Sequence, residues 1–307
     1  MAISRRACHR ILTGVLVTVA GLAYGCGNLN IQCDGAGKGY SCTHVDGPPE
    51  RHTRSQYQPS WADEYHDIGT EQPTVSEHVF EITNQTRQRE GLSALRHDRM
   101  LSQIACWHNQ VMLGHNYLGH NDSDDRMPWD RVPTEHRRLI GPVQENAYDG
   151  GGLGNRDKRQ WGAAIVDSWM GSSGHRENIM SSKWTHLGVC VSTDSRDGRA
   201  TQVFAQVWAY LDEPLPWTVT PGESASGSFT LVKADHSPTR YAFAPVDEPM
   251  WETFSTRSSG HAANGTLFFP DSTGTYELRV RIPDGSGGHE TLGGPRVKVK
   301  KEGEPAY

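Results

Sequence analysis

Two imidazoles and one carboxylate stand out in this sequence as groups able to act together. His120 lies in Leu118-Gly119-His120-Asn121 and Glu145 in Gln144-Glu145-Asn146-Ala147. His175 lies in Trp169–Met180, which reads Trp-Met-Gly-Ser-Ser-Gly-His-Arg-Glu-Asn-Ile-Met. Each stands beside a glycine or an asparagine, so all three belong to polar turns that can converge on one cleft. His120, His175, Glu145 and a water make a candidate zinc set, because zinc takes nitrogen and oxygen ligands tetrahedrally and a catalytic zinc keeps one position open. Their spacing is long-range and has none of the compactness of His-Glu-x-x-His. Glu145 working with His120 as general acid or base is a second chemistry, since burial moves a carboxyl toward neutrality. A third reading makes Glu145-Asn146 a hydrogen-bonded brace for the loops of a binding cleft. Ser172 and Ser173 precede Gly174-His175 without the Gly-x-Ser-x-Gly elbow of a hydrolase nucleophile, so they read as helix-terminal residues. Arg176 and Glu177 read as a surface pair. The glycine run Gly150 to Gly154 has neither Gly-x-Gly-x-x-Gly nor a following Lys-Ser/Thr, which excludes a phosphate cradle.

The elements that must position these groups begin at Thr74. Thr74 and Glu77 make a capping box, and Val75, Val79 and Ile82 recur at helical spacing until Gly91 closes the helix. Asp98 caps a second helix, with Leu101, Ile104, Ala105, His108, Val111 and Met112 on one face and Gly114 at its end. His108 falls in that apolar register and reads as a core histidine rather than a ligand. Trp161, Ala164, Ile165, Ser168 and Trp169 give another amphipathic helix. Leu187 to Ser192 and Gln202 to Tyr210 alternate as strands. Helices interleaved with hairpin-like strands predict an α-β-α layering.

A formal charge of -6, from 30 Lys+Arg against 36 Asp+Glu, leaves no basic footprint for nucleic acid. With 33 Gly and 17 Pro in 307 residues, the chain reads as loop-rich and extracytoplasmic, and its length predicts two domains. Arg5, Arg6, His9 and Arg10 precede an apolar run, Ile11 to Ala23, that is too short to span a bilayer and fits a signal peptide over residues 1–25. Gly25-Cys26 then resembles the end of a lipobox, although Ala23 and Tyr24 depart from the Leu-plus-small pattern before it. Ser4-Arg5-Arg6 gives only a faint twin-arginine signal. The expected localisation is therefore a membrane-anchored lipoprotein with lipid on Cys26, with soluble secretion as the alternative. Once Cys8 has left with the signal and Cys26 carries lipid, the remaining four cysteines can pair as Cys33–Cys42 and Cys106–Cys190. Buried free thiols at Cys106 and Cys190 are the competing reading. Residues 26–73 are polar and aperiodic and read as a flexible tether.

Pro214, Pro216 and Pro221 mark a boundary, after which helical periodicity stops. Tyr276, Leu278, Val280 and Ile282 alternate with Glu277, Arg279 and Arg281, and Ser228 to Lys233, Thr266 to Phe269 and Arg296 to Lys300 read as further strands. Asp271, Gly274 and Tyr276 are similar to the tyrosine corner of an immunoglobulin-like sandwich, so residues 213–307 are expected to form an all-β immunoglobulin-like domain used for spacing or adhesion.

Residues 74–212 resemble the CAP superfamily of cysteine-rich secretory, antigen and pathogenesis-related proteins, in its short bacterial form. The matching elements fall in order: Asn84-x-x-Arg87, Gly91-Leu92-x-x-Leu95, Tyr117-Leu118-Gly119-His120, Pro128-Trp129-Asp130-Arg131, Glu145-Asn146, Trp169 through Ile179, Leu187-Gly188-Val189 and Thr201-Gln202-Val203-Phe204. The resemblance implies an α-β-α sandwich whose cleft holds His120, Glu145 and His175; with the expected β-domain after it, the chain is α+β. It places Asn146 and Arg199 beside that cleft as ligand-binding candidates. Ser172 stands where the fuller cleft has an acid, and Arg199 where it has a histidine. An arginine there opposes a bound cation. The implied function is binding of an envelope, lipid or protein ligand outside the cytoplasm, without demonstrated catalysis. A metal-dependent hydrolase of peptide or cell-wall bonds is the alternative, and a structural surface protein with a vestigial cleft is the third.

Overall fold

The computed structural model describes residues 31–35, 40–44, 74–151, 157–193, 197–232, 237–256, 259–262, 265–284 and 286–303. The expected signal peptide and the Cys26 lipid site lie outside the described residues. Two compact units result, 1–68 and 69–307. In the first, strands β1 (Ile31–Gly35) and β2 (Tyr40–His44) pair antiparallel with Cys33 opposite Cys42. A hairpin thus lies within the segment expected to be an aperiodic tether. The bond expected between Cys33 and Cys42 concerns side chains outside the described residues.

The second unit opens with α1 (Val75–Arg89), whose capping box joins Thr74 and Glu77 as their spacing predicts. Gly91 follows at φ +76°, a left-handed position that glycine takes without steric cost, and Leu92 N–H returns to the Arg87 carbonyl. After β3 (Arg96–His97), Asp98 caps α2 (Arg99–Gly114) through the Leu101 N–H. The left-handed residue beyond α2 is Asn116, at φ 51°, rather than Gly114. Next come α3 (Pro128–Glu135), β4 (Leu139–Ile140), β5 (Val143–Gly151), α4 (Lys158–Gly171) and α5 (Ser173–Met180). Ser172 is shared as the C-cap of α4 and the N-cap of α5, the helix-terminal role its sequence context predicts.

Strands β6 (His186–Thr193) and β7 (Asp197–Ala205) complete a four-stranded sheet in the order β3-β6-β7-β5, leaving β5 on an edge. Its residues alternate between faces. Val203, Ala205 and Cys190 point toward Leu101, Ile104 and Ala105 of α2. Gln202 points the other way and donates to Thr83 of α1. Helices therefore cover both faces, as the α-β-α reading requires. Gly188 marks the tightest approach: a Cβ there would lie 2.3 Å from the backbone of Leu101 and Ser102. Cys106 on α2 and Cys190 on β6 are joined in a disulfide, so they are not free thiols.

The remainder is strand-rich: β8 (Ala209–Leu211), β9 (Thr218–Val219), β10 (Ser224–Ser226), β11 (Phe229–Leu231), β12 (Arg240–Pro245), β13 (Gly260–His261), β14 (Thr266–Phe268), β15 (Gly274–Pro283) and β16 (His289–Val299), with one short helix, α6 (Thr253–Thr256). They form a five-stranded sheet, β13-β12-β15-β16-β9, and a β10-β14 pair. A third sheet, β11-β8-β4, crosses the boundary expected near residue 212. Ile140, Trp208, Ala209 and Leu211 accordingly share one apolar core with Leu278, Val280, Val297 and Val299. Among the described residues no helix is long and apolar enough to cross a membrane.

Candidate functional site

Because β5 is an edge strand, elements from both faces of the sheet meet over it. Glu145 points to the α2 side and Asn146 to the α1 side, following their partners Val203 and Gln202 in β7. Glu145 is buried, and both its oxygens are engaged. Oε1 lies 3.0 Å from Nδ1 of His120, and Oε2 accepts a hydrogen bond from Nη2 of Arg131. Arg131, itself buried on α3, also donates from Nη1 to the carbonyls of His120 and Arg126, each at 3.0 Å. The loop carrying His120 is thus tied to the carboxylate twice, once through its ring and once through its backbone. His108 adds a third tie: its Nε2 lies 2.9 Å from the Gly119 carbonyl and 3.6 Å from Glu145 Oε1. It is fully buried, as its apolar register predicts, and burial pushes its ring below the ordinary histidine value. Among the described residues its Nδ1 has no hydrogen-bond partner.

Asn146 is a brace. Its amide donates to the His175 carbonyl and to Gln202 Oε1, both at 3.1 Å, while its own oxygen accepts from Asn178 at 2.9 Å. Asn178 also reaches the Glu145 carbonyl at 3.3 Å. With Thr83 behind Gln202, this network pins α5 and α1 to the sheet. Two residues of the sequence pattern do similar work, Arg87 at the far end of α5 and Asn84 at the segment that follows α1. Arg87 donates to the carbonyls of Ile179 and Ser181, and Asn84 exchanges two hydrogen bonds with the Leu95 backbone.

The resulting cleft encloses about 490 Å3, with His120, Glu145 and His175 all in its lining. One wall is Met127, Pro128 and Trp129. The other includes Glu177, Lys183 and Trp184, whose indole lies 4.3 Å beneath the Lys183 ammonium. The His120 side chain is 40 % exposed in this space. Burial, and then the neighbouring His120, push His175 below the usual histidine value.

Arg199 occupies a different place. It is buried opposite Asp149 in the β5–β7 register, donates to Asp149 Oδ1 at 2.6 Å and to the Tyr117 carbonyl at 3.1 Å, and is not among the cleft-lining residues. Glu177, read from sequence as half of a surface pair, is exposed and also lines the cleft. Gln144, Asn178, Lys183 and Trp184 were not singled out by sequence. The only signal for them was their nearness to Glu145 and to the His175 helix.

The residues present do not fit a zinc ion. Among the described residues, no three His, Cys, Asp or Glu side chains are grouped to hold a metal. The carboxylate that would serve as ligand is already shared between His120 and a guanidinium, whose positive charge opposes a cation at the same oxygens.

Comparison with known proteins finds matches to the middle of the chain. The model of the cysteine-rich secretory protein family, CAP, matches residues 80–208. The chain is 32% identical over 111 residues to the uncharacterized protein YkwD of Bacillus subtilis (strain 168), covering 36% of this chain and 40% of that one. It is 29% identical over 120 residues to the uncharacterized membrane protein YlbC of the same organism, covering 39% and 32%. It thus spans less than half the length of these curated relatives. A solved extracellular protein containing a SCP domain, from Bacillus anthracis str. Ames, aligns at 26% identity over 43% of this chain and 40% of that one, with a TM-score of 0.36. Residues 80–208 of this chain thus match the model of the cysteine-rich secretory protein family, CAP, and the residues that line the His120–Glu145–His175 cleft fall within that segment.

Proposed function

We propose that this chain is an extracytoplasmic protein, anchored through lipid on Cys26, that binds an envelope or extracellular ligand in the His120–Glu145–His175 cleft. One observation carries the reading. Glu145 is fully committed to Arg131 and His120, so it shapes and charges the floor of the cleft while His120, His175, Glu177, Lys183 and Trp129 are left to meet a ligand. Aromatic surface binds and a few placed polar groups orient a ligand in such a pocket. The Cys106–Cys190 disulfide supports an oxidising compartment, and the basic start followed by the apolar run Ile11 to Ala23 supports export.

The C-terminal strands are read as an immunoglobulin-like module that spaces or presents the cleft. The order β13-β12-β15-β16 in one sheet, with β10-β14 as a separate pair, suits that fold. So does Tyr276, whose hydroxyl reaches the Ser272 carbonyl at 3.2 Å in the manner of a tyrosine corner.

A second reading, hydrolysis, is favoured by the Glu145–His120 pair. A carboxylate that accepts from Nδ1 leaves Nε2 to take a proton from a bound water or hydroxyl. One comparison separates the readings. Wild type and the His120→Ala/Glu145→Gln variant are assayed side by side for binding and for cleavage of purified cell-wall fragments and peptides. Binding without turnover, lost in the variant, supports the binding protein. Turnover abolished in a folded variant supports the hydrolase, and indifference to both changes overturns a role for the cleft. For the anchor, radiolabelled fatty acid should enter the wild type and be lost in Cys26→Ser; a wild type that takes up none refutes it.

A further inference from the structure

One wall of the cleft is a helix that the C-terminal strands hold. Trp129 and Pro128 line the cleft from α3, and Arg131 on the same helix clamps Glu145. Between them stands Asp130. Its Oδ1 accepts a hydrogen bond from Nη2 of Arg296, on β16, at 2.8 Å, while its Oδ2 caps the Met127 N–H at 3.3 Å. Arg296 is anchored in turn, with Nε 3.7 Å from Oε1 of buried Glu277. Glu277 holds Arg279 at 3.1 Å, and that buried guanidinium is fixed by the Thr253 hydroxyl at 2.6 Å and the Glu248 carbonyl at 2.7 Å. The far end of α3 is gripped as well. The Trp217 indole donates to the Thr134 carbonyl at 3.2 Å, and Arg137 donates to the carbonyls of Leu215 and Pro216, each at 2.8 Å.

A helix of eight residues interrupted by Pro133 has too little internal cohesion to fix its own orientation. Its direction must come from what it is bound to. The ion pair that binds it is partly withdrawn from solvent: the Arg296 side chain is 15% exposed and that of Asp130 33%, and Arg296 belongs to a chain of charges ending in the fully buried Arg279.

We propose that Arg296 is a positioning residue for the CAP-domain cleft. Through Asp130 it sets where α3 carries Trp129 and Arg131, and so how Arg131 and Glu145 hold His120. The C-terminal strands thereby form part of the scaffold of the cleft. The inference requires no ligand and holds whether the cleft binds or catalyses.

The test uses the full chain and two NMR signals: the indole N–H of Trp129, assigned with Trp129→Phe, and the Nδ1 proton of His120. Arg296→Ala should displace both. Arg296→Lys, which keeps the charge and loses the fork, should return them part of the way. Asp130→Asn should displace them at least as far, because it also weakens the Met127 cap, and adding Arg296→Ala to it should displace them no further. A purely structural ion pair would lower Tm and leave both signals at their wild-type positions, and that result overturns the proposal. So does additive displacement in the double variant. Where the alanine variant does not fold, Asp130→Asn decides alone, because it keeps the volume of the side chain; unchanged signals there are equally fatal.

Discussion

Glu145 Oε1 lies 3.0 Å from Nδ1 of His120, from a carboxylate that is buried, toward an imidazole that stands partly in the open cleft. The contact joins the interior of the domain to its accessible surface, so whatever disturbs Glu145 is felt at the ring that a ligand meets.

Arg131→Ala tests that dependence from the inside. It leaves a buried carboxylate without its guanidinium and should cost about 3 kcal/mol or more, the usual penalty for orphaning one half of a buried pair. Urea denaturation measures the loss. Glu145→Gln in the same background should recover part of it, because the orphaned charge is then gone.

Trp129→Ala makes the opposite expectation. The indole is 51% exposed, so stability should stay within about 0.5 kcal/mol of wild type. Binding of any cleft ligand should weaken nonetheless, as calorimetry on the two proteins would register. A stability loss as large as that of a core residue would mean that Trp129 supports α3 instead of facing the cleft.

Acid should weaken the fold before the carboxylates titrate. His186 is buried and its imidazole is pushed down to about 4, by burial first, with the nearby Asp98 acting against that shift. Between about 4 and the ordinary value of 6.5, the unfolded chain takes up a proton that the folded chain refuses. Stability is therefore intact above that window and falls as pH drops through it, by on the order of 3 kcal/mol. Denaturation midpoints measured at steps from pH 7 to pH 4 should show the slope, and His186→Gln should flatten it. Asp98 adds a loss at still lower pH. Burial alone would raise its carboxyl, but the charge of His136, and then hydrogen bonds from His136 and Tyr210, hold it well below the usual range.

Gly188→Ala should be among the most damaging single methyl additions. The new Cβ would meet Leu101 and Ser102 backbone at 2.3 Å, and backbone cannot rotate aside as a side chain can. A cost of about 3 kcal/mol is expected from forcing α2 away from β6. An alanine variant as stable as wild type would show that the two elements are less tightly seated.

Local signals in the sequence foretold much of this. Thr74 with Glu77 and Asp98 before Leu101 are caps whose partners lie three residues away, so chain proximity alone makes them readable. The disulfide partners Cys106 and Cys190 and the convergence of His120, Glu145 and His175 were legible too, the first from counting and the second from the ordered family pattern. What escaped depends on geometry between distant segments. β5 has a strand-poor composition, Glu-Asn-Ala-Tyr-Asp-Gly-Gly, and becomes a strand only because β7 pairs with it. Whether Arg199 or Glu177 reaches the cleft follows from strand register and helix rotation, which no local spacing reports. β12 went unread for the same reason as β5, and the core shared across residue 212 was hidden because alternation reveals a buried face without naming what covers it.

The disulfide carries one more implication, about time. It closes a stretch in which the two cysteines are 84 residues apart, tying α2 to β6, and chain-entropy reasoning puts its effect near 4.5 kcal/mol, about as much as the whole stability of a marginal domain. A chain still in a reducing compartment lacks that contribution and stays correspondingly easier to unfold. Folding and oxidation are thereby given an order: the cleft becomes durable only after the bond between Cys106 and Cys190 has formed.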